Sequence, residues 1–133
     1  MKTVFYSSIF LALTLISSAN LQAQQIDDNP KNILQLQPII LTAEALKAED
    51  GENFGDFQVI ICGKKIGDIT DTAQMNDFIE KAKKAGVQIV ACGFSLNKFK
   101  VDKTEVPKEI KTVENGILHN FQLQKKGYKS LSL

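Results

Sequence analysis

A chain of 133 residues with 16 basic and 15 acidic side chains and 44% apolar composition carries enough material for one core and almost no net charge. Near-neutrality excludes a protein that works by neutralising many phosphates, so neither nucleic acid nor an anionic membrane surface is an expected partner. One histidine and two cysteines, with no cluster of metal-type ligands in sequence, argue against a zinc site.

The first 23 residues have the three parts of a secretory leader. Lys2 is the positive start, residues 4–16 are the apolar core, and Leu21-Gln22-Ala23 is the cleavage site before Gln24. The apolar core is shorter than the about 20 residues that cross a bilayer, so the expected product is cleaved, exported to the periplasm or beyond, and free of the membrane afterwards. An uncleaved N-terminal anchor is the alternative. Cleavage leaves 133 less 23, or 110, residues, with 16 less one, or 15, basic side chains against 15 acidic ones. An exported chain of this size is able to form a disulfide between its two cysteines but does not need one to fold.

Residues 24–31, QQIDDNPK, are polar with one proline and read as a flexible lead-in to a single domain over 32–133. Leu36, Ile39, Ile40, Ala43 and Leu46 then recur at helical spacing, with Pro38 suited to a first turn. Residues 56–62 form a short run of branched apolar side chains closed by Gly63, the pattern of a strand buried on both faces. N-cap candidates at 68–72 precede Met75, Phe78, Ile79, Ala82 and Ala85, again at helical spacing. Lys81, Lys83 and Lys84 suit the last turns of that helix, and Gly86 suits its end. Residues 87–92 repeat the buried-strand pattern and are closed by Gly93. After a loop with Asp102 and Pro107, a third helix is expected over 112–126, with Val113, Ile117, Phe121 and Gln124 in line and Gly127 as the stop. The closing YKSLSL alternates as a terminal strand.

Strands alternating with helices of this length imply an α/β domain with a parallel sheet and right-handed crossovers. Ligands in such sheets collect beyond the carboxyl ends of the strands, where both Cys-Gly pairs fall. Cys92 is the stronger candidate for chemistry, because Gly93 permits a sharp turn after which the N–H groups of Phe94, Ser95 and Leu96, and the Ser95 hydroxyl, are available to hold a thiolate. The competing reading is a small buried core residue. Cys62 is the weaker second thiol, with Lys64 and Lys65 beside it. Gly63, Gly93 and Phe94 form the expected rim. A Cys62–Cys92 bridge is compatible with adjacent strands, although neighbouring parallel side chains stand side by side, which strains the bond.

Cys92-Gly93-Phe94-Ser95 matches the monothiol glutaredoxin motif, but that motif opens its domain and precedes a distant Val-Pro pair. Here it ends a late strand and Val106-Pro107 follows closely, so that fold is excluded. His119 falls away from the Val113, Ile117, Phe121 line and is expected in solvent. No phosphate loop, nucleotide fingerprint or spaced carboxylate pair occurs, so no cofactor is expected.

Over residues 36–133 the chain resembles the DsrE/DsrF-like family, specifically its small exported branch. QVIICG (58–63) matches a strand ending in glycine, GVQIVACGFSL (86–96) matches the cysteine-bearing strand, and VENGILHNFQLQKKGYKSLSL (113–133) looks like the closing helix and strand. The resemblance implies a three-layer, mostly parallel α/β fold of the flavodoxin-like kind, homo-oligomerisation, and a cysteine that accepts sulfur as a persulfide, with Cys92 in that position. Members of the intracellular sulfur relay work with dedicated donor and acceptor proteins, whereas this chain is expected outside the cytoplasm. The family opens with a full strand; only residues 32–36 offer one here, so the first strand is expected short or absent. Two functions remain open: a sulfur-carrier or thiol-exchange protein acting through Cys92, and a non-catalytic homo-oligomeric binding or assembly module with structural cysteines.

Overall fold

The computed structural model describes residues 22–26 and 32–133. Among them are five strands, β1 (Gln22–Ile26), β2 (Phe57–Ile61), β3 (Val87–Cys92), β4 (Lys111–Val113) and β5 (Lys129–Ser132). Four α-helices alternate with the strands: α1 (Leu36–Asp50), α2 (Thr72–Ala85), α3 (Gly93–Lys98) and α4 (Gly116–Lys125). All strand pairs are parallel, in the order β4-β3-β2-β1-β5.

That order places the helices. The chain steps in one direction from β1 to β4, and right-handed crossovers keep α1 and α2 on one face, where they pack against each other. The return from β4 to β5 runs the opposite way across the sheet, so the same handedness puts α4 on the other face, against β1, β2, β3 and β5. The result is the three-layer α/β architecture expected from the sequence.

Local chemistry accounts for the secure elements. The five residues of β2 are all buried, as are five of the six in β3, because helices cover both faces of the central strands. Asp71 caps α2 by accepting from the Ala73 and Gln74 amides, and Gly86 ends it with φ 76°. The expected stripe of Met75, Phe78, Ile79, Ala82 and Ala85 is the buried one. It meets Leu36, Ile39, Ile40 and Ala43 of α1 in a single core. At about 25 cal/mol per Å² of apolar surface, each fully buried Leu or Ile contributes on the order of 2 kcal/mol.

Three expectations need correction. The first strand is neither absent nor at 32–36: residues 32–35 form a 3-10 turn leading into α1, and the strand is β1, with β2 on one side and β5 on the other. Its polar sequence, QAQQI, has no apolar alternation to announce it; the backbone ladders on both sides hold it. Residues 24–26 of the expected lead-in thus belong to the sheet, whereas its residues 27–31, and residues 1–21 of the expected leader, lie outside the described residues. The third helix starts at Gly116 instead of residue 112, because Lys111–Val113 pair with β3 as β4 and Asn115 supplies the cap. His119 is half-buried and meets Gln58, as described below.

Register assigns the sheet's faces. Gln58 pairs with Gln88 and Ile60 with Val90, and these side chains share the α4 side, where the His119 ring and Gly116 meet them. Phe57, Val59, Ile61, Val87, Ile89 and Ala91 alternate onto the α1–α2 side.

Candidate thiol site at the carboxyl rim

The last paired residues of β2 and β3 are Ile61 and Ala91, so Cys62 and Cys92 follow side by side at the carboxyl edge of adjacent strands. Both are free thiols. Alternation turns both toward α4, and the first residue of that helix fixes how near they come. A Cβ on Gly116 would stand 2.5 Å from Cys62 Sγ, 2.9 Å from Ile60 Cγ2 and 3.0 Å from Cys92 Cβ. Only a residue without a side chain lets the α4 backbone settle on the thiol pair.

Gly93 has the same role on the other side. It is buried at the start of α3, and a Cβ there would meet the Val113 carbonyl oxygen at 2.8 Å and that of Glu114 at 3.2 Å. The Phe94 N–H donates to the Glu114 oxygen at 2.8 Å and ties the start of α3 to the segment before α4. Asn115 then caps α4, its Oδ1 accepting from the Ile117 amide at 3.0 Å and the Leu118 amide at 3.2 Å.

The Gly116 N–H is thereby left to the sulfur, donating to Cys92 Sγ at 3.2 Å. It brings the positive end of a ten-residue helix to that atom. Ser95, buried in α3, completes the surround. Its oxygen accepts from the Gly63 N–H at 3.0 Å, while its hydroxyl and its own N–H donate to Cys92. A relay therefore runs from the amide beside one cysteine, through a hydroxyl, to the sulfur of the other.

These contacts divide the protons of the pair. Burial pushes the Cys92 thiol up, but the Ser95 hydroxyl, the Gly116 amide, the Ser95 amide and the Cys62 thiol together outweigh it and hold the thiol below its ordinary value. Cys62 is pushed up to about 12, first by burial, then by the charge on Cys92 and by donating its own S–H to that charge. Cys92 is the group that ionises, with Cys62 a neutral donor against it.

The expected rim is closed over the thiols: Cys92 is 2% exposed and Cys62 7%. The first turns of α3 and α4 close over the sulfurs, because both begin with a glycine that lets backbone approach. Of the expected rim, Gly63 (φ 90°) is half-buried and bonded to Ser95, Gly93 is sealed, and Phe94 is 60% exposed. The expected amide donors are also revised: Ser95 supplies one, Phe94 donates elsewhere, and Gly116 supplies the one that local pattern did not reveal. The available signal was Asn115-Gly116, a cap residue followed by glycine at the start of a helix. Lys64 and Lys65 are exposed in the 3-10 segment after Gly63.

Anchoring Gly116 also sets the rotation of α4. Gly116, Asn120 and Leu123 face inward, whereas Ile117, Leu118 and Phe121 point out and are 52%, 54% and 59% exposed. The stripe expected to be core is the outer one. His119, expected in solvent, is turned to the sheet, its Nε2 2.8 Å from Gln58 Oε1. Gln58 Nε2 donates to Asp56 Oδ2 at 2.6 Å, and the Tyr128 hydroxyl donates to the same oxygen at 2.7 Å. This polar chain lies toward the amino end of the strands, away from the thiols. So does a groove between α2 and β3 lined by Ile79, Ala82, Val87 and Ile89.

No family model matches the chain, and no curated protein does. Solved structures do. A protein of unknown function from Methanobacterium thermoautotrophicum, MTH1491, superposes with a TM-score of 0.64 at 15% identity, covering 86% of this chain and 99% of that one. A conserved protein of unknown function from Bacteroides thetaiotaomicron, BT1422, gives 0.62 at 18% identity over 84% and 94%. The YchN protein of E. coli gives 0.59 at 10% identity over 86% and 99%. At these identities the likeness is one of fold, and that fold is DsrE-like.

Proposed function

We propose that Cys92 is a sulfur-accepting thiolate: it takes a sulfane sulfur from a persulfide or polysulfide donor and so becomes a persulfide. The observation that carries this reading is the convergence of the Gly116 amide, the Ser95 hydroxyl and amide, and the Cys62 thiol on one buried sulfur. A cysteine that only filled space would need none of these donors, and burial alone would raise its pKa. The closed first turn of α4 restricts access to a small or linear donor, or to a donor protein whose docking loosens that turn. The leader expected over residues 1–23 would put that work outside the cytoplasm.

The test has two parts. The pH midpoint for alkylation of Cys92 by a small reagent is expected below that of the same thiol in the urea-unfolded chain. Consumption of sulfane sulfur from inorganic polysulfide is expected to disappear in Cys92→Ser. A midpoint equal to the unfolded one, or undiminished consumption by the variant, would sink the reading.

A second reading concerns assembly and rests on the outward face of α4. Three large apolar side chains within five helical positions, on a chain with almost no net charge, are the composition of an interface core. The occupant is a second copy of the chain, in keeping with the homo-oligomers that the family resemblance implies. Phe121→Glu is expected to lower the molar mass measured by light scattering to that of one chain, and a wild type that is already a single chain would refute it.

A further inference from the structure

The sulfur-accepting reading uses Cys62 only as a hydrogen-bond donor to Cys92, yet Cys62 is itself a thiol at the end of the neighbouring strand. We infer that Cys62 is the resolving thiol of the site: it attacks Cys92 Sγ once that atom bears a sulfane sulfur, closes a Cys62–Cys92 disulfide and releases the outer sulfur as hydrogen sulfide. The inference rests on the reading of Cys92 as the acceptor.

Geometry carries it. The two residues extend the Ile61–Ala91 register on neighbouring parallel strands, whose spacing of about 4.8 Å falls within the Cα separation a disulfide accepts. Both lean under the same atom, since the position a Gly116 Cβ would occupy touches Cys62 Sγ and Cys92 Cβ at once. Cys62 has already left the ladder, and the left-handed glycine after it gives its backbone room to adjust on closure. A bridge between neighbouring parallel strands remains strained, and strain makes a disulfide easily reduced. That suits a transient product better than a structural crosslink. Cys62 donates its S–H to Cys92, so the attacking thiol lies beside the inner sulfur.

The steps balance. Loading is Cys92–S⁻ + R–S–SH → Cys92–S–SH + RS⁻. Resolution is Cys92–S–SH + Cys62–SH → Cys62–S–S–Cys92 + hydrogen sulfide. The Cys62 sulfur forms its bond to Cys92 Sγ as the bond to the outer sulfur breaks, and the Cys62 proton leaves with the departing sulfide. The two oxidising equivalents of the persulfide pass to the thiol pair. Two equivalents of a thiol reductant, R′SH, restore the dithiol and leave R′–S–S–R′.

Reduced full-length protein treated with inorganic polysulfide and then desalted decides the matter. The wild type is expected to end as the Cys62–Cys92 disulfide, found by non-reducing peptide mapping, with an intact mass lower by two hydrogens and no retained sulfane sulfur. Cys62→Ser and Cys62→Ala, checked for folding by circular dichroism, are expected to keep one extra sulfur on Cys92 until a reductant frees it as sulfide. Stable retention of that sulfur by the wild type, as in the variants, would overturn the role of Cys62 while leaving Cys92 as acceptor. Failure of wild type and both variants to take up or discharge any sulfur would overturn the two readings together. Should neither variant fold, the wild-type peptide map is sufficient alone, because it separates a bridge from a retained persulfide.

Discussion

Gly116→Ala tests the packing on which the thiol site depends. The added carbon would lie 2.5 Å from Cys62 Sγ and 2.9 Å from Ile60 Cγ2. Comfortable contact for such atoms is about 3.5–4.0 Å, so α4 or the strand ends must give by roughly 1 Å. Overpacking of this kind costs about 1–3 kcal/mol. Removing a helical glycine returns about 0.5–1 kcal/mol, less in a first turn. The balance is a loss of about 1–2 kcal/mol, which at roughly 4–8 °C per kcal/mol lowers Tm by about 4–16 °C. The displaced helix also withdraws its first amide from Cys92 Sγ, so the alkylation midpoint of Cys92 rises. Gly67→Ala is the control: its Cβ would meet only Val101 Cγ2, at 3.5 Å, and no change beyond about 0.5 kcal/mol is expected. Thermal unfolding followed by far-ultraviolet circular dichroism, with pH-graded alkylation, reads both effects. A Gly116→Ala protein that is more stable than wild type and alkylates with an unchanged midpoint would refute the close approach of α4 to the thiols.

Ser95→Ala removes a hydroxyl donor from Cys92 and strands the Gly63 N–H, so unfolding in urea should show a loss of about 1–3 kcal/mol together with a raised Cys92 midpoint. His119 is held below its ordinary 6.5 by burial and by Lys111 and Lys126, against a smaller opposing pull from Asp56. The unfolded chain therefore binds the His119 proton more readily: stability is full above the ordinary histidine value and falls as pH drops toward the lowered one. Comparison of urea midpoints above and below pH 6.5 is expected to show that slope in wild type and a flatter one in His119→Gln. Leader cleavage after Ala23 would remove Gln22 and Ala23, which pair with β2 and β5, whereas Ser17-Ser18-Ala19 offers a small-residue site upstream of the whole strand. If the chain is exported and its leader cleaved, N-terminal sequencing of the product is thus expected to begin at Asn20, and a start at Gln24 would contradict the need for a full β1.

Local pattern determined much of this molecule. The two runs ending in Cys-Gly had to be strands covered on both sides, because branched apolar side chains in an unbroken row have no solvent face. The stripe on α2, its Asp71 cap and its Gly86 stop agree at every level, and the alternation of strands and helices specified a parallel sheet with both thiols at one rim. The motifs at 58–63, 86–96 and 113–133 pointed to the DsrE-like fold that the solved structures bear out.

Tertiary structure decided the rest, in places where periodicity carries no information. QAQQI becomes a central strand because the neighbours β2 and β5 satisfy its backbone, a requirement that polar side chains do not advertise. Helix α4 shows a clear apolar stripe in sequence, but apolarity states only that a face avoids water, and close backbone approach by Gly116 turns that stripe outward. The burial of Cys92 has the same origin. Whether a sulfur at a strand end is open or covered depends on how near two glycine-led helix starts come to it, and that distance is fixed by long-range packing alone.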